Sequence, residues 1–238
     1  MEHIIARKDR FEKEVLDNAK INNPYYNIPN YVELEERFGI KSTFFFRTIY
    51  EDGDFRDYVD DIKLLIKKGW EIGLHSDPSS ISNIEKIREE KTKLEKLTDA
   101  KINGNRVHYL GFSTELPKML QRLGFAYDSS VRKSKDRIDN NEIGYYKFDK
   151  LIEFPLTLMD AYMFTYMKIS EERVVTIFED TLNYSRKLNP DFNVITVNWH
   201  DNVLQMKGGR MYKKILEYLT SQDDVKICRG IDIAQMIK

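Results

Sequence analysis

Four histidines occur in these 238 residues, and three of them stand where an apolar run gives way to a polar one. The stretches are Ile72-Gly73-Leu74-His75-Ser76-Asp77, Asn105-Arg106-Val107-His108-Tyr109 and Val197-Asn198-Trp199-His200-Asp201. Neutral imidazole is the commonest metal ligand, and it also exchanges protons near neutral pH. A barrel of strand and helix pairs gathers such groups at the carboxyl ends of its strands, which is where these apolar runs stop. The remaining histidine, His3, lies in a charged terminus and reads as a solvated side chain.

Bringing three strand ends to one face requires a chain that alternates strand and helix, and the sequence alternates in this way. Residues 42–46, 70–75, 102–107, 125–130, 151–156 and 192–199 read as strands. Residues 31–38, 57–67, 114–123 (capped by Ser113), 171–188 and 211–219 read as helices. A further helix begins at Ser82 or Asn83; it turns Ile84, Ile87, Leu94 and Leu97 inward and its charges toward water. Gly39, Gly69 and Gly124 fall where helices close in a left-handed conformation. Residues 225–228 are expected to complete the alternation, and the polar segment 132–141 reads as an exposed loop.

Composition narrows the functional classes. Lysine and arginine number 38 against 39 acidic residues, a formal charge of -1, and no basic stripe points to nucleic acid or an anionic membrane. The length suits one domain over residues 1–238. Cys228 is the only cysteine, and residues 1–10 lack an apolar stretch before a cleavage site, so a cytoplasmic chain is expected. No window approaches the roughly 18 apolar residues of a membrane span.

Three motifs in order carry a resemblance: Gly39-Ile40-Lys41-Ser42-Thr43-Phe44-Phe45-Phe46, Gly69-Trp70-Glu71-Ile72-Gly73-Leu74-His75-Ser76 and Gly124-Phe125-Ala126-Tyr127-Asp128-Ser129-Ser130. Together they resemble the polysaccharide deacetylase family with its NodB-homology domain, from about Pro24 to the C-terminus. The resemblance implies an α/β fold, a distorted (β/α) barrel of about seven strands. It also implies a divalent metal, usually zinc, that activates water to hydrolyse an N-acetyl or related amide. His75 matches the first metal ligand in His75-Ser76-Asp77-Pro78-Ser79, whereas the second position is Ser79, a poor donor for zinc. Arg106-Val107-His108-Tyr109 carries histidine where the family motif has proline, so His108 either supplies the missing imidazole or bonds to a neighbouring carbonyl.

By the same resemblance Arg106 orients the catalytic carboxylate, the Tyr109 N–H helps stabilise the oxyanion, and His200 protonates the leaving amine. Asp160 is either the carboxylate partner of His200 or a helix cap. Ser76, Asp77 and Trp199 are expected on the substrate side, Trp199 as a stacking platform or as a large residue closing the barrel. Asp77 and Asp201 also stand beside histidines that they could support, and Tyr25 and Tyr26 pack or line a pocket rim.

Family members begin with a strand bearing two nearby aspartates, a general base and a metal ligand, and nothing in residues 1–30 matches it: Asp9 and Asp17 lack an apolar strand context. A general base is worth about 10² to 10⁴-fold, roughly 3 to 5 kcal/mol of barrier. Two readings follow. Either the chain starts downstream of its first strand and the full protein hydrolyses amides, or it is complete and binds a saccharide or protein partner without catalysis. Both predict a barrel open where that strand is missing, the gap covered by residues 1–30 or by a second subunit in a homo-oligomer. The expected substrates are an N-acetylated, lipid-linked or nucleotide-linked sugar, or a non-sugar amide.

Overall fold

A computed structural model describes residues 4, 6–50 and 54–237; His3 lies outside them. In chain order the elements are α1 (Lys13–Asn18), α2 (Ile28–Arg37), β1 (Thr43–Phe46), α3 (Val59–Lys68), β2 (Glu71–Ser76), α4 (Ile84–Thr98), β3 (Gly104–Val107) and α5 (Leu116–Arg122). There follow β4 (Tyr127–Asp128), β5 (Tyr146–Phe148), β6 (Leu151–Glu153), β7 (Leu156–Met159), α6 (Glu171–Leu188), β8 (Thr196–Asn198), α7 (Tyr212–Thr220) and α8 (Gly230–Ile237). They are distributed over two compact units.

The first unit comprises Ile40–Lys133, Asn141–Leu156 and Ile227–Lys238. Its sheet runs β1-β2-β3-β4-β6-β5, parallel from β1 through β4 to β6, with β5 antiparallel on β6. Parallel strands covered on both faces read as continuous apolar runs, and β2 is buried at every position except His75. Gly69, at φ 93°, turns the chain out of α3 toward β2 in a conformation that other residues adopt at a cost. Asn83 starts α4 by accepting from the N–H groups of Glu85 (3.1 Å) and Lys86 (3.3 Å). The sheet is open, and among the described residues β1 and β5 are its edges.

The second unit comprises Met1–Gly39, Ser134–Asn140 and Thr157–Lys226, and it contains the paired strands β7 and β8. Its core gathers Leu158, Met163, Val174, Phe178, Met211 and Ile215. The 18-residue α6 spans the residues that its apolar period predicts.

The structure departs from the sequence reading in identifiable places. Residues 151–156 divide into β6 and β7 about Pro155, which has no N–H to give a ladder. Only Tyr127 and Asp128 of residues 125–130 pair as strand; Ser129 gives its N–H to the Asn105 carbonyl and Ser130 to Glu153, while their hydroxyls bond to the Phe154 carbonyl and to Asp128. Ser113 does not cap α5, because its hydroxyl donates to the Ile81 carbonyl at 2.7 Å. Residues 225–228 form no strand, and α8 follows them. The start of α8 is fixed by distant residues: Glu71 accepts from the Ile231 N–H (3.0 Å) and Thr43 from the Gly230 N–H (2.9 Å).

Tyr127 is 1% exposed, and a Cβ on Gly104 would stand 2.2 Å from its ring. Gly104→Ala is therefore expected to cost about 1–3 kcal/mol through overpacking. A lower urea midpoint at unchanged slope is the expected readout, and an unaltered midpoint would show that the ring shifts freely.

Candidate functional site

The sheet unit brings two of the three strand-end histidines together. His75 on β2 pairs in register with Arg106 on β3, and its Nδ1 lies 2.8 Å from the Arg106 carbonyl oxygen. A carbonyl only accepts, so Nδ1 carries a proton. The His108 ring lies 5.0 Å from that of His75, centroid to centroid, at 75°. Tyr109 stacks on His108 at 3.9 Å while remaining 77% exposed. Tyr109 (φ 60°) and Leu110 (φ 55°) are both left-handed, a strain that recurs at sites where the backbone is held for a purpose.

The loop after β2 is tied down by carboxylates. Asp77 Oδ1 accepts from the Ser79 N–H at 2.9 Å, and Asp77 Oδ2 lies 3.5 Å from the Arg47 guanidinium. Burial pushes the Asp77 carboxyl up, but bonds from Ser79 and the positive charges of Arg47 and His108 outweigh it and leave the pKa below the usual value. Glu90 on α4 accepts from the Asp77 N–H at 3.0 Å and from the Ser80 hydroxyl. Burial raises the Glu90 pKa. The expectation that the charges of α4 face water fails here, because Glu90 shares the apolar face with Ile87 and Leu94; at 1% exposure it is the hidden support of this loop. Ser76 is fully buried, and Ser79 is exposed with its hydroxyl 3.2 Å from Lys86 Nζ.

Arg106 is turned inward. Its Nε donates to the Ser129 carbonyl (3.1 Å), its Nη2 to Ser129 Oγ (2.9 Å), and its guanidinium lies 4.5 Å over the Phe45 ring. Burial lowers its pKa to about 10, against the pull of Tyr127, Asp128 and Glu153. An open cavity of about 500 Å³ is lined by Thr48, Tyr50, Phe55 and Lys93, residues of the chain after β1 and of α4, and by none of the residues named above.

The second unit holds the other histidine. Asp160, 1% exposed at the end of β7, accepts from the His200 backbone N–H at 2.9 Å through Oδ2. Its Oδ1 lies 2.7 Å from His200 Nδ1 and also accepts from the Ala161 N–H at 2.6 Å. Tyr31 donates its hydroxyl to the His200 carbonyl (2.9 Å), and Asn27 donates to that of Asp201 (3.0 Å). Trp199 gives its indole N–H to the Gly209 carbonyl (3.0 Å), and its ring meets Phe164 and Tyr212. It is thus packed and hydrogen-bonded within its own unit.

The donor chemistry suits a divalent metal at two positions. An imidazole whose Nδ1–H is spent on a carbonyl is held as a metal-ligating histidine commonly is, and His75 has that arrangement beside His108. Three protein donors, as catalytic zinc uses, are not assembled: among the described residues no group of three or more His, Cys, Asp or Glu side chains could hold a metal.

No family model matches the chain, and no curated protein sequence does. Solved structures do. A protein from Mycobacterium smegmatis assigned as a polysaccharide deacetylase superimposes with a TM-score of 0.68 at 19% identity over 90% of this chain and 77% of its own. Puue allantoinase gives 0.69 at 16% identity, covering 94% and 74%. Wild-type BA3943 from Bacillus anthracis, described as a CE4 family pseudoenzyme, gives 0.51 at 11%, covering 87% and 60%. The fold is that of the NodB-type polysaccharide deacetylases, in a divergent form with an open sheet.

Proposed function

We propose that this chain is a metal-dependent hydrolase of a carbon–nitrogen amide bond, acting as one functional domain over residues 1–238 to remove the N-acetyl group of a saccharide or sugar conjugate. The observation that supports this reading best is the imidazole pair, with His75 Nδ1–H committed to the Arg106 carbonyl and His108 5.0 Å away. His75 and His108 are the residues that would hold the metal, zinc foremost; Ser79, engaged by Lys86, is the weakest of the three proposed ligands. Held there, a divalent ion would supply Lewis acidity toward a carbonyl and would lower the pKa of a bound water.

The chain's own groups are assigned the remaining work. The Tyr109 N–H, held in a strained turn, is a preorganised donor for the oxyanion. His200, fixed by Asp160, delivers a proton to the leaving amine. Arg106 is assigned to orient the catalytic carboxylate, as the resemblance implies, while its side chain also ties β3 to Ser129. Ser76, Asp77 and Trp199 complete the substrate-side set, of which Asp77 is the one beside the imidazole pair. The chain is assigned to the cytoplasm and to homo-oligomers; no described helix is long and apolar enough to cross a membrane.

Zinc titration of the purified chain tests this reading. Uptake of about one equivalent, abolished by His75→Ala, together with amine release from an N-acetylated oligosaccharide, is the expected result. A chain that takes up no zinc and releases no amine, yet binds the oligosaccharide, would instead be a non-catalytic saccharide-binding protein. That second reading is favoured by the absence of a third metal donor among the described residues.

A further inference from the structure

Two acidic side chains lie behind the imidazole pair without a place in the hydrolytic scheme. Asp128 on β4 and Glu153 on β6 are register partners on adjacent parallel strands, and both are 0% exposed. Each has one oxygen fully committed. Asp128 Oδ1 accepts from Asn105 Nδ2 (2.8 Å) and the Ser130 hydroxyl (2.8 Å), while Glu153 Oε1 accepts from the N–H groups of Ser130 (3.1 Å) and Val131 (2.8 Å). The second oxygens, Asp128 Oδ2 and Glu153 Oε2, are buried and accept no hydrogen bond from any other group.

Two ionised carboxylates at that distance from water would repel each other with nothing to bridge them. One fully buried cation, Arg106, acts on both acids, so a single negative charge on the pair leaves the three groups neutral together. We propose that Asp128 and Glu153 hold one proton between Oδ2 and Oε2, and that this one-proton pair is the pH-sensitive support of β3 beneath His75 and His108. The inference does not depend on whether the chain hydrolyses an amide.

The connection to the imidazoles is covalent and hydrogen-bonded. Asn105, Arg106 and Val107 of β3 all bond to the segment Asp128–Ser130: Asn105 to Asp128, Arg106 to Ser129, and the Val107 N–H to Ser130 Oγ at 2.9 Å. The same strand offers the carbonyl that holds His75 and leads directly into His108. Pulling the proton from the pair therefore loads the bonds that tie β3 to the segment Asp128–Ser130.

Burial first, and the Asp128 charge second, push Glu153 well above the carboxylate range; burial also raises Asp128, against bonds from Asn105 and Ser130. The other groups nearby are accounted for: Tyr127 faces Glu71 and Arg106, and Arg132, next after Val131, is engaged by Glu142. An acid whose pKa is raised on folding contributes fully below its unfolded pKa and less as pH rises toward the folded value. The pair therefore makes the fold progressively less stable as pH rises above the ordinary carboxylate range.

Difference infrared spectra and melting curves of the full chain test the proposal with Glu153→Gln and Asp128→Asn. In each variant an amide N–H can replace the bridging proton while the committed oxygen keeps its donors. One carboxylic-acid carbonyl band is expected to vanish at neutral pH in each single variant, and the double variant should lose no further band. The fall in melting temperature between about pH 5 and about pH 8 should be smaller in both single variants than in wild type. Loss of no band in either single variant would overturn the proposal, since it means two ionised carboxylates. Loss of a second band in the double variant would overturn it too, since it means two protons.

Discussion

Asp160→Asn is expected to reduce amide-hydrolysing turnover by about 10² to 10⁴-fold, the range a positioned proton donor contributes. The carboxylate holds His200 twice, through the ring Nδ1 at 2.7 Å and the backbone N–H at 2.9 Å. Asparagine has only one acceptor oxygen. With that oxygen toward the ring, its amide N–H opposes the His200 N–H; with the amide reversed, it donates to Nδ1, so Nδ1 cannot hold a proton and the doubly protonated imidazolium that delivers from Nε2 is disfavoured. Both arrangements also remove the negative charge that stabilises imidazolium. The buried mismatch should cost about 1–3 kcal/mol of stability, so turnover is to be compared at a temperature where circular dichroism shows both proteins folded. Full turnover in a folded Asp160→Asn chain would remove His200 from the proposed proton transfer.

The Asp160–His200 contact was one of two alternatives the sequence left open, the other being a helix cap; both residues end apolar runs, and a strand end is a local property. His75 and His108 were legible in the same way, and with them the open α/β architecture. What stayed hidden was settled by partners far along the chain. Glu90 is a charged residue on the apolar face of α4, between Ile87 and Leu94, and its burial is made tolerable by the Asp77 and Ser80 donors, 13 and 10 residues away. Asp128 and Glu153 sit inside runs read simply as strand, where one register step decides whether two acids face each other. The α8 helix, short and rich in isoleucine, has weak local preference and begins where Glu71 and Thr43 meet its first N–H groups. Arg106 is the most instructive residue. Its motif position implies an arginine that orients the catalytic carboxylate; what the sequence did not show is that the side chain donates to Ser129 beside two buried acids.

Arg132→Ala is expected to be the most destabilising of these substitutions, at about 3–5 kcal/mol, because it removes one partner of a buried ion pair. The polar segment 132–141 reads as an exposed loop, and most of it is, but its beginning is anchored within the sheet unit. The Arg132 side chain is 2% exposed and that of Glu142 is 0%, with Nη1 and Oε2 3.1 Å apart. Nη1 also donates to the Leu156 carbonyl at 2.6 Å, and the Lys133 N–H donates to Glu142. Truncating Arg132 leaves the Glu142 carboxylate buried without its cation and the Leu156 carbonyl without that donor. Such a loss is a large part of the 5–15 kcal/mol that typically holds a domain together, so the urea midpoint should fall steeply. The double replacement Arg132→Met with Glu142→Leu separates the two contributions. Removing both charges and keeping the volume should recover much of the loss, since the penalty lies in an unmatched charge rather than in missing attraction. A single Arg132→Ala cost below about 1 kcal/mol would instead mean that water reaches Glu142 and takes over from the guanidinium.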